Sequence, residues 1–241
     1  MVSDFLLNML GRRIAGDIVW SEDPGVALRK WREIFGLSQL EVARSMAISA
    51  SVISDYEKGR RVPGSKFIKR FVEALFAADS EHGWEVVRRL ARTMNINLDA
   101  VIDIQEFEFA VSVDDLISAV KGILLNSEYI SRGIYGYTVL DSIASIESMT
   151  GNEFYYIMGT TTERALIFTN VSTGRSPMVA VRVSPLKPAV VVIHGPRQRV
   201  DPLAIRLADK ERIPLILSLA PSVNDLVKSL REILTLGSFR L

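Results

Sequence analysis

The chain contains no cysteine and only two histidines, His82 and His194, in 241 residues. Without thiols it can build no disulfide framework, no thiolate zinc ribbon and no cysteine nucleophile. Two histidines so far apart argue against a histidine-rich metal site, and no cofactor is indicated. No apolar run approaches the roughly 20 residues of a membrane span, and the early run Phe5 to Leu10 is followed, not preceded, by Arg12 and Arg13. These absences leave a cytoplasmic protein as the expectation, with no membrane partner. Net charge is scarce too: 29 Lys and Arg against 28 Asp and Glu give +1. That is too little for a whole-molecule field toward nucleic acid.

What is present is concentrated in one stretch, Leu37 to Pro63. Ser38 is an N-cap hydroxyl, Glu41 completes a capping box three residues on, and Leu40, Val42, Ala43 and Met46 give an apolar helical stripe. The stripe stops at Ala47, Ile48 puts one apolar side chain into a turn, and Ser49 offers the N-cap of a second helix running to about Lys58. In that helix Val52, Ile53 and Tyr56 face inward, leaving Ala50, Ser51, Ser54, Asp55 and Lys58 outside. Such a face is small and polar, so its backbone can approach base edges in a major groove. Gly59 ends the helix, Arg60 and Arg61 follow, and Pro63, Gly64 and Ser65 open a further helix bearing Lys66, Lys69 and Arg70. Between Gly25 and Val72 there are ten Lys or Arg against four Asp or Glu, a local +6 that leaves −5 for the remainder. The stretch is a basic patch, and it reads as a DNA-binding helix-turn-helix.

The pattern Ser38, Gln39, Val42, Ala43, Ile48, Ser49, Ile53, Ser54, Glu57, Gly59, Pro63 resembles the phage lambda repressor and Cro class, also called the xenobiotic-response-element (XRE) family, over about Gly25 to Leu75. The resemblance implies a compact helical bundle whose first helix carries Ala27, Leu28, Trp31, Ile34 and Phe35. It also implies that Gln39 contacts a backbone phosphate and supports the recognition helix, and that Ala50, Ser51, Ser54 and Asp55 approach base edges. Lys58 and Arg61 would hold phosphates, and Ser49, Arg60 and Lys66 complete the DNA-binding set. On chemistry, Ala50 can meet a thymine methyl, Ser51 and Ser54 can bond to several bases, and Asp55 can accept from cytosine N4. No arginine is placed to fork onto guanine, so DNA shape and phosphate contacts are expected to carry much of the discrimination. Ala47 stands where the family commonly has glycine, so the turn is expected to tolerate a methyl group.

At 241 residues and 48% hydrophobic content the chain needs a second core beyond this bundle. The division expected is 1–95, a helix-turn-helix domain with N-terminal and linker helices, and 96–241, an α/β dimerisation or effector domain. The fold class is α+β: an all-α bundle followed by a mixed α/β domain. Phe5, Leu6, Met9 and Ile14 predict an amphipathic N-terminal helix that packs on its own domain or on a partner chain. Glu81 to Met94 predicts a linker helix, and the break at Asn95 and Asn97 sets the boundary. Further on, Ile102, Ile104, Phe107, Phe109 and Val111 alternate as in a half-exposed strand, and Ser112 with Asp115 caps a helix. A second helix is predicted over Val139 to Met149. The runs from Ala165, Met178, Ala189 and Ile213 predict buried strands. Pro202 to Glu211 and Ser222 to Leu234 predict helices, giving a βαβα ending with a parallel strand pair.

Two loops are candidates for an anionic small-molecule effector: Thr173, Gly174, Arg175 and Ser176 between two strands, and His194, Gly195 and Arg197 after a buried strand. Plain turns are the competing reading, since neither loop matches a phosphate-binding motif. The segments YGYTVLDSI from Tyr135 and RALIFTNVSTGRSPMVAVRV from Arg164 resemble a group of archaeal predicted transcriptional regulators. The function expected is a sequence-specific regulator acting as a homodimer on double-stranded DNA. A single module buries too little DNA for tight binding, so half-sites about 34 Å apart are anticipated. Two alternatives compete. A bridging adaptor, similar to the archaeal multiprotein-bridging factors, would need a zinc ribbon that a cysteine-free chain cannot make. An enzyme with a DNA-binding appendage would use His194 or Asp201 as acid or base, and neither has a partner at catalytic spacing. No enzyme activity is therefore expected.

Overall fold

The computed structural model describes residues 4–93, 100–149, 157–158, 161–196 and 199–236. The chain divides into two compact units, Met1–Asn95 and Ile96–Leu241. Met94, Asn95 and Asn97, where the sequence pattern breaks, and Arg197 of the second loop lie outside the described residues.

The first unit is helical: α1 (Asp4–Trp20), α2 (Pro24–Ile34), α3 (Gln39–Ser45), α4 (Ala50–Glu57), α5 (Ser65–Glu81) and α6 (Glu85–Thr93). Apolar residues three and four apart on each helix meet in one core. Leu10, Ile14 and Ile18 of α1 join Leu28 and Trp31 of α2, Val42 of α3, Ile53 of α4, Phe71 and Leu75 of α5 and Val87 of α6. Of the predicted α1 stripe, Ile14 is spent inside its own unit and Leu6 packs against the same core. Asp17 fastens the helix further, accepting from Lys30 Nζ at 2.6 Å and from Trp31 Nε1 at 2.7 Å. These bonds, that from Lys30 foremost, hold the Asp17 carboxyl below the usual carboxylate range.

The predicted linker helix starts later than its sequence suggests. Gly83 and Trp84 both take left-handed backbone, with φ of 74° and 63°, so α5 stops and α6 begins afresh at Glu85. The cause is Asp79, buried near the end of α5. Its carboxylate accepts from Val86 N at 3.0 Å and Val87 N at 2.9 Å, supplying α6 with its N-terminal acceptor from the preceding helix.

The second unit contains β1 (Val101–Val111), α7 (Val113–Ala119), β2 (Gly122–Leu124), β3 (Ile134–Asp141), α8 (Ser142–Ser148), β4 (Ala165–Thr169), α9 (Arg175–Val183), β5 (Val190–His194), α10 (Pro202–Glu211), β6 (Leu215–Ser218) and α11 (Val223–Leu236). The six strands run β1-β3-β4-β5-β6-β2. The central four are parallel and each edge strand is antiparallel to its neighbour. Successive side chains on β5 go to opposite faces. Val190 and Val192 pack with Leu116 of α7 and Leu226 and Leu230 of α11, while Val191 and Ile193 pack with Met178 of α9 and Ala204 of α10. Burial on both faces is why these strands read as unbroken apolar runs.

Two sequence expectations are corrected here. The run from Met178 is not a strand but part of α9. Its alternating valines imitate a period of two, yet burial falls on Pro177, Met178 and Val181 at helical spacing, leaving Val179 and Val183 exposed. The helix predicted over Val139 to Met149 is shorter, because Val139, Leu140 and Asp141 finish β3. Asp141 then caps α8, accepting from Ile143 N and Ala144 N, each at 2.9 Å.

Candidate nucleic-acid interface

The corner between α3 and α4 is built by local chemistry. Ser38 Oγ accepts from Glu41 N at 3.2 Å and Glu41 Oε2 accepts from Ser38 N at 2.6 Å, so the capping box is complete. The bond from Ser38 keeps the Glu41 carboxyl below its ordinary range. At the other end of α3, Ala47 N donates to Arg44 O at 3.0 Å and Ile48 N donates to Ala43 O at 2.9 Å. This paired closure requires a left-handed residue, and Ala47 adopts it at φ 52°. The turn therefore has the glycine-type geometry despite its methyl group, at the usual left-handed cost of about 1–2 kcal/mol. Arg70 of α5 donates to Met46 O, closing the last turn of α3 from outside.

In α4 Ile53 is buried and Tyr56 packs against the core, as their spacing requires, and Ser51 and Lys58 are exposed with Ser54 and Asp55 half-buried. Ala50, expected on the outer face, is half-buried and packs against the core three residues before Ile53, while Val52 is half-buried without joining it. Ser49 occupies the N-cap position in extended backbone, but its hydroxyl makes no capping bond. It pairs instead with Ser51 Oγ at 2.8 Å. Both hydroxyls therefore stand at the exposed beginning of the helix. Arg60, Arg61 and Lys66 are exposed beyond its end.

Behind this face lies a network of which only Gln39 was among the site residues the sequence suggested. Glu57, 8% exposed, accepts from Arg32 Nε at 2.6 Å, from Arg32 Nη2 at 2.9 Å and from Gln39 Nε2 at 2.8 Å. Arg32 Nη1 also donates to Leu37 O at 2.8 Å. One carboxylate thus ties α2, α3 and α4 together, and it raises the pKa of Arg32. The available signal was the position of Glu57, four residues after buried Ile53 and on the same inward side. Gln39 is held by its amide nitrogen, which retains a second N–H for an acceptor outside. Gly25 completes the support, since a Cβ there would stand 2.4 Å from Tyr56 O. Only glycine lets α2 start this close to the end of α4.

Asp55 faces the arginines that follow the helix. Its carboxylate lies 3.3 Å from Arg60 Nη1 and 3.9 Å from Arg61 Nε.

In the second unit the two candidate loops come together. Val171 N donates to His194 O at 3.2 Å and Asp201 N donates to Thr173 O at 2.8 Å. Arg175 Nη2 lies 2.6 Å from Asp201 Oδ2, and Asp201 also caps α10 through Leu203 N at 2.8 Å. The Leu203 bond, then Arg175, lowers the Asp201 pKa. His194 is pushed below its ordinary pKa by burial. The first loop joins β4 to a helix rather than to a strand, and Gly174 caps α9 in left-handed backbone at φ 84°. Helices α9 and α10 pack on the same sheet face, so both loops leave the sheet the same way. The rim they form carries Thr173, Arg175 and Ser176.

A helix-turn-helix family model, HTH_3, matches residues 28–77. The chain is 48% identical over 224 residues to an uncharacterized HTH-type transcriptional regulator of Archaeoglobus fulgidus, covering 92% of this chain and 96% of that one. It is 45% identical over 235 residues to another of Methanocaldococcus jannaschii, covering 95% and 97%. Among solved structures, the CBS and DRTGG domains of the regulatory region of a Clostridium perfringens pyrophosphatase, complexed with diadenosine tetraphosphate, match 49% of this chain and 47% of that one. The identity there is 16% and the TM-score 0.35, below the level of a shared fold. No helix among the described residues is long and apolar enough to cross a membrane.

Proposed function

Since the chain belongs to the family of these archaeal HTH-type transcriptional regulators and carries an XRE-type helix-turn-helix, we propose that it binds double-stranded DNA with α4 in the major groove. The observation that carries this reading is the exposed face of α4. It is small and polar at its start, flanked by Lys58, Arg60, Arg61 and Lys66, and fixed from behind by Arg32, Glu57 and Gln39. A rigid helix with short side chains can enter a groove closely, and the surrounding cations meet phosphates. Ser49, Ala50, Ser51 and Ser54, near the N-terminal end of α4, contact base edges. Lys58, Arg61 and Lys66 hold the backbone, and the free N–H of Gln39 adds one further phosphate contact.

The working unit in this reading is a homodimer, because one such module buries too little DNA for tight binding. The second unit supplies dimerisation. The rim of Thr173, Arg175 and Ser176 is where a small anionic effector would act, with the Arg175 guanidinium exchanging Asp201 for the ligand. Selection of duplexes from a random library by the full-length chain, with the bound oligomer sized, tests the scheme. An enriched inverted repeat bound by two chains supports it, and binding without any enriched sequence would replace sequence-specific regulation by an architectural role.

A further inference from the structure

The end of α4 closes like the end of α3, but with charges where the earlier turn has apolar groups. Gly59 N donates to Tyr56 O at 3.1 Å and Arg60 N donates to Asp55 O at 2.9 Å. In such a closure the residues that donate and accept the bond with the wider sequence span ordinarily make an apolar contact, as Ile48 and Ala43 are placed to do after α3. Here those two positions hold Arg60 and Asp55. The backbone itself therefore brings the Arg60 side chain beside the Asp55 carboxylate, and Arg61 joins it at 3.9 Å. Asp55 is also the sixth residue of an eight-residue helix, in the half from which the two arginines follow.

We infer that Asp55 is a positioning residue rather than a base reader: its carboxylate gathers Arg60 and Arg61 in the free protein, and backbone phosphate displaces it on binding. This rests on the DNA-binding reading above. The exchange is physically easy because the arginine side chains are 67% and 56% exposed, and exposed pairs of this kind are weak. A phosphate offers the same bidentate geometry with more charge. The carboxylate thereby weakens binding to every sequence alike, and its effect passes through the two arginines.

The test uses the full-length chain, its Asp55→Asn variant, the Arg60→Ala/Arg61→Ala double variant and the triple combination. Each is titrated against a 30-base-pair duplex of random sequence and against the best duplex from library selection, across a salt series. Positioning predicts that Asp55→Asn binds both duplexes about three- to tenfold more tightly at low salt. The slope of log K against log salt steepens by about 1–2, and the preference for the selected duplex stays within about twofold. The gain disappears in the triple variant. A base reader predicts instead a preference that falls roughly 5- to 100-fold. Either that loss, or a gain that persists without the arginines, overturns the proposal. A phosphocellulose column supplies the readout free of DNA: later salt elution of Asp55→Asn, lost in the triple variant, supports the tether even if the wild-type chain binds no duplex. No binding to either duplex by the wild type condemns the DNA-binding reading by itself. Unchanged elution of Asp55→Asn condemns the tether by itself.

Discussion

Each unit contains a buried carboxylate gripped by an arginine fork and one further polar group, and the two networks differ in what lies in front of them. In the helical unit Glu57 binds Arg32 and Gln39, and just outside stands a small polar helix face ringed by cations. In the sheet unit Asp103 accepts from Arg231 Nη2 at 2.9 Å and Nε at 3.0 Å, and from Tyr137 Oη at 2.8 Å. Burial and the neighbouring Asp103 push the Tyr137 hydroxyl well above its ordinary pKa. That second network joins β1, β3 and α11 and fastens a sheet edge to a helix. Buried charge therefore marks a place where geometry is fixed. It serves recognition only where the fixed element also presents a surface suited to a ligand.

The comparison can be broken most sharply at Glu57. Glu57→Ala strands a nearly buried guanidinium, so a loss of about 3–5 kcal/mol is expected, with DNA binding lost alongside. All three tryptophans, Trp20, Trp31 and Trp84, lie in the first unit, so tryptophan fluorescence in urea reads this unit alone. Equal stability in the variant would show that the network does not hold α2, α3 and α4. Asp103→Asn should cost less, about 1–3 kcal/mol, because the Arg231 side chain is 57% exposed and regains water. The loss should appear in circular dichroism or hydrogen exchange of the sheet unit and leave DNA affinity unchanged. A fall in affinity comparable to that of Glu57→Ala would erase the distinction between the two networks.

Much of the first unit was legible because its signals are local. The capping box of Ser38 and Glu41, the left-handed Gly59 and the stripe on α4 each depend on residues within five positions. The Arg32–Glu57 pair is 25 residues apart in sequence and carried no local mark except a charge in an inward-facing position. In the second unit β4, β5 and β6 were legible as apolar runs bounded by turns, whereas β3, interrupted by Gly136 and Thr138, was not, and its last residues were assigned to a helix. The segment from Met178 was misread because valine favours strands, and its helical burial is decided by where β4 and β5 place it. Asp79 explains the late start of α6, since a cap supplied seven residues upstream is invisible to a search for adjacent N-cap residues. Asp55 was legible as an acid on the outer face. Its arginine partners depend on the chain closure after Gly59.

Two smaller effects sharpen the picture. Ala47→Gly should stabilise the first unit by about 0.5–1 kcal/mol, since relief of left-handed strain exceeds the entropy that glycine adds to the unfolded chain. Unchanged or lower stability in urea would mean that the turn is not strained. The last concerns His194, whose pKa is lowered by burial. The unfolded chain then binds more protons than the folded one below the ordinary histidine value of about 6.5. Stability of the sheet unit should fall as pH drops through that value toward the folded pKa, and His194→Gln should flatten the change. An unaltered profile in the variant would assign the acid sensitivity to other groups.

The central claim is that DNA meets the exposed beginning of α4, and Ser51→Glu tests it most directly. The side chain is exposed, and a carboxylate near a helix N-terminus favours the helix, so thermal unfolding should be unchanged or slightly raised. At the same time a negative charge would face the groove. The account predicts affinity for the selected duplex reduced roughly tenfold or more at constant salt. Full retention of affinity by a folded Ser51→Glu chain would contradict it and place the DNA contact elsewhere on the molecule.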